Sequence, residues 1–299
     1  MNTTYFNVKS FSSWSTVLAT LLLLSNVCYA TAYNSSIPSE SSRLARRAPN
    51  IWNSIGSSSL ANWGLAKIAF GKQNYQFVRD PAGGSDMVLQ VFYPQGSRTP
   101  TSPGKQGGVG FYADPVQLQD EATLEYQVYF PNGFNFVKGG KLPGFYGGSG
   151  DCTQDSRDGN RCFSTRFMWR EGGEGEIYSY APDKQAAAYC NIPPESVCNP
   201  QYGDSLARGS FKFTPGKWSI VRQSIRLNTV GKQDGILKVW MDGQLVVDYS
   251  QMVFRTKADA RVSGILFHTF FGGADPSYRT PVNTSPISRV SHYLPQLCK

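Results

Sequence analysis

Apolar and polar residues alternate along much of this chain. The runs Met87–Tyr93, Ala122–Phe130, Phe163–Arg170, Glu176–Tyr180, Trp218–Leu227, Gly235–Met241, Gln244–Tyr249 and Arg261–Phe271 keep a two-residue period, which predicts β-strands. Asp242–Gly243, between two of these runs, is a tight hairpin signal. Helical periodicity is confined to Ser59–Phe70 and, more weakly, Asp183–Cys190. Eight or more strands with long loops and no βαβ rhythm predict an all-β fold: one two-sheet antiparallel sandwich, most simply a jelly roll. No internal repeat stands out, and no boundary divides Asn50–Lys299.

The N-terminal stretch follows a different pattern. Lys9 supplies a positive charge, Val17–Leu24 an apolar run too short to span a bilayer, and Ala30 and Ala32 small residues suited to cleavage. Residues 1–30 therefore read as a signal peptide. Residues 31–49 read as a Ser-rich spacer, in which Arg46–Arg47 is a candidate dibasic processing site. The folded domain is expected over 50–299, in a secreted protein.

Composition agrees with this division. Among 299 residues, 40% are hydrophobic and only 17% charged, enough to build a core. The 30 glycines, 18 prolines and 13% aromatics favour a turn-rich β protein. The formal charge of +8 falls to +5 without the leader and spacer. A mildly basic domain suits an acidic substrate, while the scatter of its Lys and Arg argues against nucleic acid. An acidic partner is expected, bound by a monomer away from any membrane.

Cys28 lies in the leader. Spacing suggests the local disulfides Cys152–Cys162 and Cys190–Cys198, leaving Cys298 over. No C-x-x-C occurs, and only His268 and His292 are available beside the cysteines, so a zinc site is not expected. Asp151, Asp155 and Asp158 form an acidic loop without the spacing of a calcium loop. No metal or other cofactor is expected. Asn34 and Asn283 begin glycosylation sequons, the second expected on a surface loop.

Candidate chemistry is concentrated in 139–180. Gly-Gly-Lys-Leu-Pro-Gly (139–144) reads as a strand end turning into a Gly-rich loop. In the strand that begins after Cys162, Phe163, Thr165, Phe167 and Trp169 take one face, and Ser164, Arg166, Met168 and Arg170 the other. In the next run Glu176, Tyr178 and Tyr180 share a face. A hairpin centred near Gly173 would set Arg166 opposite Tyr180 and Met168 opposite Tyr178, gathering Ser164, Arg166 and both tyrosines on one surface. Lys141 is within reach of that cluster.

Such a cluster suits an anionic sugar. Arginine clamps a carboxylate through two parallel hydrogen bonds. A neutralised carboxylate makes the neighbouring C-5 hydrogen of a uronic acid more acidic. Nearby cations would lower a phenol from its ordinary value of about 10, so that a phenolate serves as general base. A phenol then protonates the departing O-4, which is β-elimination. Taken singly, each piece is also ordinary sheet surface.

The ordered set Gly-Gly-Lys-Leu-Pro-Gly, Cys152, Cys-Phe-Ser-Thr-Arg-Phe-Met-Trp-Arg (162–170) and Tyr-x-Tyr (178–180) resembles polysaccharide lyase family 14, which includes alginate and glucuronan lyases. Phe-His-Thr-Phe-Phe-Gly-Gly (267–273) also looks like family sequence. The resemblance implies a jelly roll with the catalytic set Lys141, Ser164, Arg166, Tyr178 and Tyr180, and a loop disulfide Cys152–Cys162. It implies cleavage of 4-linked glucuronan or alginate by β-elimination. Arg170 and His268 are added as substrate-binding candidates. His268, on an apolar run, reads first as a structural hydrogen-bonding residue and second as groove lining; its face also carries Leu266 and Phe270. The segment Asp183–Gln201 has no clear place in the family pattern.

Two rival functions share this fold. A non-catalytic, lectin-like module would bind acidic glycan in the same groove. A glycoside hydrolase needs two separated carboxylates, for which Glu174 and Glu176 are the nearest pair.

Overall fold

The computed structural model describes residues 52–115, 119–148, 162–199 and 201–294. The expected leader and spacer, Asn34, the acidic loop, Cys152 and Cys298 lie outside these residues. The strands are β1 (Leu65–Phe70), β2 (Tyr75–Arg79), β3 (Met87–Val91), β4 (Val109–Ala113), β5 (Glu121–Tyr129), β6 (Gly139–Gly148), β7 (Cys162–Arg170), β8 (Glu174–Tyr180), β9 (Glu195–Val197), β10 (Asp204–Lys212), β11 (Trp218–Arg226), β12 (Gly235–Met241), β13 (Gln244–Met252), β14 (Val262–Phe271) and β15 (Ile287–Leu294). They form two antiparallel sheets, β1-β4-β14-β6-β7-β8-β10-β9 and β13-β12-β11-β5-β15-β3-β2.

The sheets enclose one apolar core. Phe111, Phe163, Phe167, Trp169, Ile177 and Phe267 enter it from the first sheet, and Leu124, Tyr126, Val221 and Val239 from the second. The rings of Tyr126 and Phe167 meet edge to face at 5.8 Å, and the Tyr126 hydroxyl donates to the Pro143 carbonyl at 3.1 Å, tying sheet to sheet. The outer face of the second sheet is polar and carries ion pairs such as Arg222–Glu125. The first sheet differs: all ten residues of β14 are buried. One of its faces lies on the core, and the other is the floor of a cleft.

Every predicted strand is present, with ends moved by a few residues. The helical reading of Ser59–Phe70 is overturned. Only Leu60–Trp63 makes a single 3₁₀ turn, which Gly64 ends in the left-handed region, and β1 follows. Asp183–Cys190 is not helical; its only helical turn is the 3₁₀ segment Tyr189–Asn191 that begins at its end. The supposed Gly-rich loop is instead the central strand β6. Pro143 cannot donate to a ladder, and the pairing of β6 breaks beside it toward both β7 and β14. Gly144 lies so close to β7 that a Cβ there would stand 2.0 Å from the Thr165 carbonyl oxygen, so a larger residue would force the strands apart.

Candidate active site

The alternation of β7 places its side chains as expected. Phe163, Thr165, Phe167 and Trp169 face the core, and Ser164, Arg166, Met168 and Arg170 face the cleft side. The hairpin with β8 keeps the expected faces but slips by two residues. Ser164 pairs with Tyr180, Arg166 with Tyr178 and Met168 with Glu176. The cause is the turn, in which Glu171–Gly173 forms a 3₁₀ segment and β8 begins at Glu174, two residues early. On the other side of β7, β6 sets Lys141 opposite Met168.

These residues floor a cleft of about 1040 Å³. Lys141, Arg166, Tyr178, Tyr180, Arg170 and His268 all line it. Its walls include Thr99 and Gln106, Val197 and Tyr202, and Asp275 and Tyr278. Ser164 is fully buried beside Tyr180, its cross-strand neighbour, and is not among the residues that line the cleft.

Lys141 lies 7% exposed under the ring of Tyr178, with its ammonium nitrogen 3.2 Å from the ring centroid and 2.9 Å from the Met168 sulfur. Burial, with the charges of Arg166 and Arg170, holds its pKa well below the usual lysine range. The Arg166 guanidinium carbon is 5.5 Å from the Tyr180 ring centroid. The Tyr178 and Tyr180 rings meet edge to face at 5.7 Å. Gly203 packs against both rings; a Cβ there would stand 2.6 Å from Tyr178 Cε1 and 2.8 Å from Tyr180 Cε2.

The expectation that cations depress the phenols fails at Tyr178. Burial and the neighbouring Tyr180 push its pKa up, and Arg166 and Arg170 pull it down by less. Tyr178 is a proton-holding phenol in the free protein.

His268 is 6% exposed, between Phe70 at 5.3 Å and Tyr112 at 5.6 Å, centroid to centroid. It shares its face with Leu266 and Phe270, as the alternation indicates. Its Nε2 has no hydrogen-bond partner among the described residues. Burial, then Arg166 and Lys67, holds the imidazole well below its usual pKa, so it is neutral.

Glu176 does not fit the acid of a hydrolase. It is fully buried and accepts from Arg170 Nη2 at 2.7 Å, Ser205 Oγ at 2.5 Å and Arg208 Nε at 3.0 Å. Burial works to raise its pKa, but Arg170, with Ser205 and Arg208, outweighs it and holds the carboxyl below its usual range. Glu174 is exposed at the strand start.

Lys67, Tyr112, Ser205, Arg208 and Tyr202 line the cleft without having been singled out in the sequence. Arg208 was hidden by geometry. Ala207 takes φ 52°, and the β10–β8 register breaks beyond Leu206, so Arg208 comes to the same carboxylate as Ser205 against strict alternation. The expected Cys190–Cys198 disulfide is present and closes the segment that carries β9. Cys162 is buried, and its expected partner lies outside the described residues. Asn283 is exposed.

A family model described as Polysaccharide lyase 14 matches residues 81–289. A marine PL-14 alginate lyase from Aplysia kurodai is similar in structure, with a TM-score of 0.72 and 31% identity over 82% of this chain and 98% of that one. The alginate lyase vAL-1 from a Chlorella virus matches with a TM-score of 0.66 and 22% identity, covering 79% and 94%. Among curated proteins, Exolysin of Paramecium bursaria Chlorella virus 1 is 26% identical over 199 residues; the match takes in 58% of this chain and 29% of that protein's length.

Proposed function

This chain belongs to polysaccharide lyase family 14 and has its jelly-roll fold, and from that premise we propose that it cleaves 4-linked uronic-acid polysaccharides by β-elimination. The observation that carries the reading is the meeting of Lys141, Arg166, Tyr178 and Tyr180 on the floor of one open cleft. Alginate is the first substrate to try, since the 31% identical relative is by name an alginate lyase; glucuronan is the second.

Arg166 clamps the substrate carboxylate, and Lys141 regains its proton beside that anion and shares the charge. Together they stabilise the enolate-like charge that develops when C-5 loses its proton. Tyr180, acting as a phenolate, takes that proton. The electron pair forms the C-4–C-5 double bond, the bond from C-4 to O-4 breaks, and Tyr178 gives O-4 its proton. A proton then passes from Tyr180 back to Tyr178, whose ring meets its own edge to face. Ser164 steadies Tyr180 from the neighbouring strand, and Arg170 and His268 contact neighbouring parts of the glycan. The leader-like N-terminus and the Cys190–Cys198 bridge support secretion.

Incubation with alginate and glucuronan tests the reading through the ultraviolet absorbance of unsaturated ends. Lys141→Ala, Tyr178→Phe and Tyr180→Phe each should lower kcat by at least about 100-fold. New reducing ends without unsaturation indicate hydrolysis, and binding without cleavage indicates a lectin; either result overturns the proposal.

A further inference from the structure

Glu176 stands two residues before Tyr178 on the same face of β8, and its carboxylate is saturated by Arg170, Ser205 and Arg208. Both of its oxygens are engaged, and one anion is set against two cations. The arginines are not sealed in with it. Their side chains are 15% and 26% exposed, and both line the cleft. Arg170 Nε is buried with no hydrogen-bond partner among the described residues. Arg208 is steadied further by its Nη2 bond to Ser205 Oγ at 3.1 Å. A buried carboxylate that fixes two guanidinium groups at a cleft wall leaves a net positive, pre-oriented anion site.

We propose that Arg170 and Arg208, with Glu176 as their positioning residue, form a second carboxylate subsite for the uronate next to the one being cleaved. This rests on the reading of the cleft as a uronan-cleaving site. Arg170 and Arg208 converge on Glu176, which stands one same-face step from Tyr178, the register partner of Arg166; that step is about 7 Å, of the order of one pyranose unit. The pair Lys141 and Arg166 and the pair Arg170 and Arg208 are therefore staged for the acid groups of consecutive sugars. The substrate class narrows accordingly. Polymers of contiguous uronates are preferred over those in which uronates alternate with neutral sugars.

Arg208→Gln tests this, because it removes the charge from a partly exposed side chain. Wild type and variant are compared on a contiguous polyuronate and on a polymer whose uronates are flanked by neutral sugars. Comparing both proteins on both substrates cancels the difference in density of cleavable bonds. The wild type is expected to favour the contiguous polymer in kcat/KM, and the variant to lose about ten-fold of that preference, mainly through KM. Arg208→Lys is expected to keep part of it. An unchanged preference in Arg208→Gln overturns the subsite. Calorimetric binding of a tetrauronate to Tyr180→Phe, with and without Arg208→Gln, separates this proposal from the lyase reading. A roughly ten-fold loss of affinity supports the subsite even if no polymer is cleaved, and equal affinities overturn it. Absence of unsaturated product from every uronan overturns only the catalytic reading.

Discussion

The ammonium nitrogen of Lys141 lies 3.2 Å from the centroid of the Tyr178 ring, closer than any other cation–ring approach among the described residues. A lysine so placed is expensive to keep. Below its ordinary value of 10.5 an unfolded chain binds the proton, and burial opposes that binding in the fold. Stability therefore rises with pH between the depressed folded value and 10.5, and the full penalty is present below that window. Lys141→Met replaces the charge with an apolar chain of similar length. It is expected to abolish cleavage while raising Tm at neutral pH by several degrees, and to flatten the rise in stability toward alkaline pH. Thermal melts of both proteins from neutral pH to pH about 10 check this; a lower Tm for the variant contradicts it.

The same lysine links binding to protons. A uronate carboxylate beside Lys141 raises its pKa again, so binding is accompanied by proton uptake wherever the free lysine is neutral. Calorimetry of an oligouronate in buffers of different ionisation enthalpy should give a positive proton number for Tyr180→Phe. The number should vanish when Lys141→Met is added.

Gly203 fixes the tyrosines by having no side chain. A methyl at its Cβ position would overlap both rings. Gly203→Ala is expected to displace Tyr178 and Tyr180 by a fraction of an ångström and to lower kcat about 10- to 100-fold. The cost in stability should be only about 1–2 kcal/mol, since the rings can swing toward the open cleft. Kinetics beside a denaturant melt distinguish this from simple unfolding, and unchanged kcat would dismiss the packing argument.

Most of the strand pattern was legible in the sequence because a sheet with one apolar face writes its period into the chain. What could not be read was set by departures from that period. β6 is rich in glycine because it lies tightly against β7, and with Pro143 that composition imitates a loop. β1 carries two irregular pairings over six residues, which blurs its alternation into something like a helical spacing. The candidate cluster was legible because Ser164, Arg166, Tyr178 and Tyr180 keep parity on regular strands. Parity survives a two-residue slip, so the faces were right although the partners were not. Arg208 lies beyond the bulge at Ala207 and gave no such signal. The direction of the Tyr178 shift depends on how far burial outweighs neighbouring charge, which spacing alone does not contain.

The Cys190–Cys198 bridge closes a segment whose continuation, with Val197, Asn199 and Tyr202, walls the cleft. Replacing both cysteines by serine is expected to cost about 2–3 kcal/mol by the chain-entropy estimate for so short a loop. It should also raise KM for polymer more than it lowers kcat, because the wall touches glycan and not the reacting atoms. A melt and a Michaelis curve for the double variant test both parts.

Glu176 gives the acid side of the stability profile. Its folded pKa is depressed below 4.5, so its contribution is present above that value and is lost as pH falls through the folded one. Glu176→Gln keeps the shape and one acceptor but removes the anion between Arg170 and Arg208. At neutral pH the variant should be less stable by about 2–4 kcal/mol, the range for breaking a buried, hydrogen-bonded ion pair whose cations retain some solvent. Its stability should also fall less steeply than that of the wild type below pH about 4.5, because the titrating group has gone. Denaturant melts over the acidic range measure both differences. Parallel curves for the two proteins would mean that the carboxylate is not held by its arginines in solution, and the pre-orientation of both guanidinium groups at the cleft wall would lose its basis.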